Sequence, residues 1–188
     1  MALSAAAYFA VLLLMCTGCS ALQTPVIYRV ALLAPFEGAN RAVGYEALYA
    51  ARLAAADFGG IWIELLPIDD GESEAVARAH ALAADPLVLA AMAVGEPAED
   101  AAAVAAFGDL PLVIVGNWNA VPQPGVFIRA EERQPAANFR ERYLSENAFA
   151  PEPGWLAQPV YDAASAVIIA AQTGSRAGAM RYLSDHYE

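Results

Sequence analysis

The sequence predicts an α/β fold, a doubly wound three-layer sandwich on a mainly parallel sheet of four to five strands. Two observations predict this class. Runs that are apolar on both faces, as in strands buried within a parallel sheet, recur along residues 26–116, and segments with helical periodicity separate them. The chain is also 59% hydrophobic and only 16% charged, and its 188 residues are enough to bury one core.

The amino terminus has the pattern of a secretory signal. Residues 5–15 read AAAYFAVLLLM, an apolar run too short for a bilayer, which needs about 20 residues. Small residues and then Cys19 follow, an order that resembles a bacterial lipobox with a lipidated cysteine. Cys16 stands where leucine is usual, so an uncleaved anchor and an ordinary signal peptide stay open. We expect a signal peptide over residues 1–18 and an extracytoplasmic lipoprotein, periplasmic or on the outer face of the cytoplasmic membrane.

Cysteine use and charge exclude several classes of site. Acylation of Cys19 and removal of Cys16 would leave no thiol for a disulfide, a nucleophile or a metal site. All 10 basic residues are arginine, and the formal net charge is -11 at pH 7. This balance makes nucleic acid an unsuitable partner and favours neutral or cationic ligands.

A βαβαβαβ core is predicted within residues 19–116. Its strands are expected at 26–36, 61–68, 87–94 and 110–116. Its helices are expected at 39–58, 72–84 and 97–107. Asp70 or Ser73 is expected to cap the second of these helices, and Pro97 fits the first turn of the third.

The pattern changes after the fourth strand. Residues 117–134 form a bridge that begins as a loop rich in Pro and Asn and contains a short edge strand at 126–130. Helices are expected at 135–147, 156–173 and 175–186. The segment 161–171, YDAASAVIIAA, is the most apolar and should pack on the sheet.

The order of these segments resembles the amino-terminal lobe of type I periplasmic solute-binding proteins, closest to the branched-chain amino-acid receptor group. The resemblance is carried by YRVALLAPFEG from residue 28, AAADFGGI from 54, IELLPIDDGESEAVARAHALAADPLVLAAMAVG from 63 and FRERYLSENAFAPEPGWLAQPVYDAASAVIIAAQTG from 139. It implies a single lobe over residues 19–188, in which the bridge replaces the second lobe and residues 135–188 return to the first.

The resemblance also implies a ligand site beyond the carboxyl ends of the strands. In the family, Ser and Thr in the loops after the third and fourth strands hold the ligand's carboxylate and amine. Here the third-strand loop has no hydroxyl and carries acidic residues, which would repel an anionic group. We expect a small neutral or cationic, amino-acid-like solute. The candidate ligand-binding residues are Phe36, Glu37, Glu96, Ala98, Glu99, Asn117, Trp118 and Asn119.

Several residues allow two interpretations. Trp118 is either a stacking platform for a ligand or a loop aromatic folded over the sheet edge. The pair Asp69-Asp70 is either a turn and helix cap or a Mg²⁺ site. Tyr161-Asp162 matches a motif that opens a first-lobe helix in the family, which favours a structural role.

Three functions follow from these patterns. The first is a solute-binding lipoprotein for transport or sensing, with an ABC permease or a sensor as its partner. The second is a non-catalytic interaction module or homodimer with Trp118, Phe149 and Trp155 as its contact patch. The third is a hydrolase or phosphatase that uses Asp69 and Asp70.

The sequence does not support catalysis. Ser73, Ser145 and Ser165 lack a G-x-S-x-G setting, and without lysine no P-loop can form. His80 and His186 have no second ligand at zinc spacing. We therefore predict a protein that is not an enzyme and has no cofactor and no metal.

Overall fold

The structure is a computed structural model that describes residues 25–71 and 73–187. The predicted signal peptide and the acylation site Cys19 lie outside the described residues, so both stay predictions. Within the part of the chain that the structure describes, no helix is both long and apolar enough to cross a membrane.

Parallel strands form a single five-stranded sheet. The strands are β1 Tyr28–Ala34, β2 Ile63–Asp69, β3 Val88–Ala93, β4 Leu112–Val115 and β5 Val126–Arg129. Their order across the sheet is β2-β1-β3-β4-β5, and each neighbouring pair is parallel. The predicted α/β class is therefore confirmed, with the predicted edge strand at 126–130 as β5.

Helices connect and cover the strands. They are α1 Arg41–Phe58, α2 Ala75–Ala84, α3 Glu96–Glu99, α4 Ala101–Ala106, α5 Ala137–Glu146, α6 Ala157–Ala171 and α7 Arg176–Tyr187. α6 is buried along most of its length and packs on α1 and on the sheet, as its apolar sequence predicted.

The sheet separates two apolar cores. In β1, Val30 and Leu32 point into the core shared with α1, α6 and α7, whereas Ala31 and Leu33 point into the core shared with α2 and α4. All of these β1 residues are fully buried. A strand buried on both faces accounts for the continuous apolar run in the sequence and for the three-layer architecture.

The start of α2 differs from the prediction. Its N-cap residue is Glu74, and no side chain caps it, so the expectation that Asp70 or Ser73 would do so is wrong. Asp70 is 3% exposed at the carboxyl edge of the sheet. The helix therefore begins three residues later than expected, at Ala75 instead of residue 72.

The single helix predicted at 97–107 is two short helices. Asp100 has an extended backbone, with φ -74° and ψ 104°, and separates α3 from α4. Its side chain accepts a hydrogen bond from the backbone nitrogen of Ala102 at 2.9 Å. Aspartate competes in this way with helix continuation, because its carboxylate satisfies an amide of the next turn.

The bridge returns the chain to the sheet without a helix. Because β4 and β5 are parallel, residues 116–125 must run from the carboxyl end of β4 back to the amino end of β5. Residues 130–136 then lead to α5, which packs on α1. That this bridge replaces a second lobe stays a prediction.

Candidate functional site

A cavity opens at the carboxyl edge of the sheet, where the sequence predicted a ligand site. It lies between the loop after β1, the end of β2 and the turn after β3, and its volume is ≈ 250 Å³. Typical pockets for drug-sized ligands measure about 300–1,000 Å³, so this cavity suits a small solute. It is lined by Pro35, Glu37, Gly38, Ala39, Asn40, Asp70 and Glu96.

Asp69 holds the loop that forms one wall of this cavity. Its Oδ1 atom accepts hydrogen bonds from the backbone nitrogens of Phe36 at 2.7 Å and Glu37 at 3.2 Å. Its Oδ2 atom accepts from the backbone nitrogen of Gly71 at 3.0 Å. Both oxygens thus fix backbone at the ends of β1 and β2, which favours the structural interpretation of Asp69 over a Mg²⁺ site.

The cavity is acidic. Its lining includes the exposed residues Glu37 and Glu96 and the buried Asp70, and none of the described residues that line it is basic. The Asn40 Nδ2 atom donates a hydrogen bond to Glu96 Oε1 at 2.7 Å, which fixes that carboxylate across the opening. Carboxylates grouped around a concave surface attract cations and repel anions.

The helix that follows β3 contributes less than predicted. Ala98 is 1% exposed and packs in the core shared with α2 and α4, so its side chain has no surface for a ligand. Glu99 is exposed but does not line the cavity. Glu96 is therefore the residue of this turn that reaches the candidate site.

The loop after β4 also lies outside the cavity. Asn117 and Asn119 are exposed, and Asn119 has a left-handed backbone with φ 53°. The Trp118 indole nitrogen donates to the carbonyl oxygen of Val115 at 2.7 Å, and the ring packs against both apolar cores. This placement favours the aromatic folded over the sheet edge rather than the stacking platform.

Phe36 lies beside the cavity rather than in it. Its ring meets the ring of Tyr45 edge-on, with centroids 6.0 Å apart. Of the predicted ligand residues, the structure thus brings Glu37 and Glu96 together, and it adds Asn40 and Asp70, which the sequence did not indicate as ligand residues. Their positions in the sequence could have indicated them, because Asp70 directly follows β2 and Asn40 directly precedes α1 at the predicted edge.

A second cavity lies along α1. Its volume is ≈ 440 Å³, and its lining is rich in aromatic rings. The lining residues are Arg41, Ala42, Tyr45, Glu46, Tyr49, Phe149, Pro151 and Glu152. Of these residues the sequence indicated only Phe149, as part of a contact patch. The other lining residues gave no signal, because the segment 147–154 has no periodic pattern and the residues of α1 were expected only to form a helix.

The remaining polar candidates have structural partners. The Tyr161 hydroxyl donates to Asp57 Oδ2 at 2.6 Å. Asp162 accepts hydrogen bonds from Arg129, at 2.9 Å, and from Arg133. Among the described residues no group of His, Cys, Asp and Glu is arranged to hold a metal ion.

Comparison with solved structures finds similar proteins. A possible leucine/isoleucine/valine-binding protein from Rhodopirellula baltica SH 1 superposes with a TM-score of 0.57 at 12% identity, over 87% of this chain and 88% of that one. A protein provisionally assigned as a branched-chain amino acid ABC transporter, from Rhodospirillum rubrum, gives a TM-score of 0.49 at 20% identity, over 76% of this chain and 47% of that one.

An ABC transporter substrate-binding protein from Sphaerobacter thermophilus gives a TM-score of 0.46 at 18% identity, over 81% of this chain and 46% of that one. The chain therefore spans about half the length of two of these three proteins and most of the third.

No family model matches the sequence, and no curated protein matches it. Structure alone shows the likeness: five parallel strands in the order β2-β1-β3-β4-β5 with helices on both faces. The chain thus has the α/β fold of type I periplasmic binding proteins, in the form of a single lobe.

Proposed function

We propose that the protein is an extracytoplasmic solute-binding protein of the ABC-receptor type, anchored to the membrane by a lipid on Cys19, that binds a small cationic solute. The observation that carries this proposal is the acidic cavity at the carboxyl edge of the sheet. It combines the place where parallel α/β sheets bind ligands with a lining that selects positive charge.

The geometry supports a weak site for an organic amine. One ammonium group can lie between the exposed Glu37 and Glu96, with the buried Asp70 adding negative charge beneath it, while the rest of the solute stays in solvent at the open edge. Tight sites bury most of their ligand, and a single lobe covers one side only. An amine-bearing solute also agrees with the possible leucine/isoleucine/valine-binding protein among the structural neighbours.

Thermal unfolding of the purified, processed protein tests this proposal. Polyamines, basic and neutral amino acids and sugars are added at millimolar concentration, with glutamate as the anionic control. A ligand at about 100 times its dissociation constant adds roughly 2.7 kcal/mol to the free energy of unfolding. We expect amines to raise the melting temperature and glutamate to leave it unchanged.

Two matched variants locate the site. Glu96→Gln removes a cavity carboxylate but keeps an acceptor for Asn40, so we expect the amine-induced shift to disappear. Glu99→Gln removes an exposed carboxylate in the same short helix, outside the cavity, and should keep the shift. Equal loss in both variants would mean that overall charge, not the cavity, attracts the solute.

A specific observation also supports the second candidate, a protein-interaction module. The Phe149 side chain is 90% exposed and Trp155 is 55% exposed. Exposed aromatic residues of this kind are typical anchors of interfaces. If no solute moves the melting temperature, sedimentation over a range of concentrations should show self-association that Phe149→Ser abolishes.

A further inference from the structure

A cluster of exposed apolar side chains lies at the amino edge of the sheet. Val26 is 53% exposed, Ile27 49%, Ile61 75% and Trp62 48%. These four residues, here called the amino-edge patch, directly precede the paired residues Tyr28 and Ile63 of β1 and β2.

The two halves of the patch are neighbours in space. The backbone nitrogen of Tyr28 donates to the carbonyl oxygen of Trp62 at 2.9 Å. The residues just before Tyr28 and Ile63 therefore emerge side by side from the same end of adjacent strands. Exposed apolar side chains grouped in this way at one edge of a sheet indicate a contact site rather than scattered exposure.

Charges close to the patch largely cancel. Arg29 Nε lies 3.3 Å from Glu64 Oε2 and its Nη1 lies 3.2 Å from Asp85 Oδ2, while Arg142 Nη2 lies 2.8 Å from Asp57 Oδ1 at the end of α1. Two arginines against three carboxylates leave one net negative charge, although the whole chain is strongly negative. The patch thus fits an apolar and zwitterionic surface better than a strongly charged one.

The segment that precedes the patch in sequence indicates which surface the patch contacts. Val26 follows Cys19 by seven residues, which can span at most about 25 Å. A lipid on Cys19 would hold the amino-edge patch within that distance of the bilayer. Aliphatic side chains and a tryptophan are the residues that enter the membrane interface, where the indole keeps its polar N–H in contact with water.

We propose that the amino-edge patch is a membrane-contact surface, which lies in the interface of the bilayer when Cys19 is acylated; this inference rests on the lipid anchor of the proposed function. The contact would also orient the lobe. β1 has 7 residues and spans about 23 Å, and the acidic cavity lies beyond its far end. The cavity would then face away from the membrane.

Spin labels on the full chain test the proposal. The chain is produced with its own signal, purified and placed in phosphatidylcholine vesicles, and mass spectrometry of its first peptide reports acylation. A nitroxide at Ile61→Cys reports the patch, and a nitroxide at Phe149→Cys is the control, since both positions are highly exposed. Collisions with lipid-soluble oxygen and a water-soluble nickel chelate measure the depth of each label.

We expect vesicles to raise oxygen collisions and suppress nickel collisions at position 61 while leaving position 149 unchanged. An acylated chain whose label at 61 stays fully accessible to nickel overturns the proposal. If the label at 61 is protected from nickel but shows spin–spin interaction at high protein density, the patch contacts a second copy of the chain, and the proposal is also overturned. An unmodified Cys19 overturns the lipid anchor and, with it, this inference. The binding of amines at the acidic cavity is tested separately, by their effect on thermal unfolding.

Discussion

Glu46 in α1 caps α6 from across the fold, with its Oε1 atom 2.7 Å from the backbone nitrogen of Ala157. The same atom accepts from the backbone nitrogen of Leu156 at 2.9 Å. No side chain caps α6 locally, although the first amides of any helix need acceptors. One carboxylate thus joins the first helix of the core to the returning part of the chain.

Removal of this cap should destabilise the protein. Glu46→Ala leaves the amides of Leu156 and Ala157 without their acceptor in a half-buried site, which should cost about 1–3 kcal/mol. Urea unfolding at neutral pH measures the change, with the exposed Glu99→Ala as the matched control. Equal midpoints for the two variants would show that α6 is held by packing alone.

The same residue predicts a pH dependence. Burial raises the pKa of the Glu46 carboxyl above its ordinary value of 4.5, and the amides of Ala157, Leu156 and Gly154 oppose this shift only in part. A raised pKa in the folded state means that folding favours the protonated form. The resulting stabilisation is complete below pH 4.5 and is lost as the pH rises through the folded-state pKa.

A comparison with Glu46→Gln isolates this titration, because glutamine keeps an acceptor but does not ionise. We expect the free energy of unfolding of the wild type to fall relative to that of Glu46→Gln as the pH rises above 4.5, the ordinary pKa of the carboxyl group. Urea unfolding at several pH values gives the difference in free energy of unfolding between the two proteins, and the contributions of the other carboxylates cancel in this difference. A difference that is constant, or that favours the wild type at higher pH, would contradict the burial of this group.

The strands and most helices could be predicted because their signal is local. The apolar run of β1 and the periodicity of α6 are properties of neighbouring residues. The edge of the sheet at which the cavity lies could also be predicted, because the loops after parallel strands meet there, and Glu37 and Glu96 lie in two of these loops. The cap by Glu46 could not be predicted, because it joins residues 111 positions apart in sequence.

Asp69 and Trp118 show the same limit at the site itself. The sequence allowed a metal ligand or a turn for Asp69, and a stacking platform or a folded aromatic for Trp118. Only the placement of distant backbone, at Phe36 for the aspartate and on both cores for the tryptophan, distinguishes these roles.

Gly44 marks a contact between α1 and the loop that walls the cavity. A Cβ atom at this position would lie 1.9 Å from the carbonyl oxygen of Pro35. Gly44→Ala should therefore force the helix away from the strand end and cost roughly 3 kcal/mol. Thermal unfolding measures this loss. Ala56→Gly, at an exposed position of the same helix, is the control for helix propensity and should cost only about 1 kcal/mol. A Gly44→Ala variant that loses no stability would refute the clash.

Trp118 provides the test that separates structure from ligand binding. Trp118→Phe keeps a ring on the two cores but removes the donor to the carbonyl of Val115, so we expect a loss of about 0.5–1.5 kcal/mol in the free energy of unfolding. Amine affinity should stay unchanged, because the ring does not line the acidic cavity. Urea unfolding and amine titration of the same samples measure the two effects. A variant that keeps its stability and loses amine binding would make Trp118 a stacking platform and move the site toward the loop after β4.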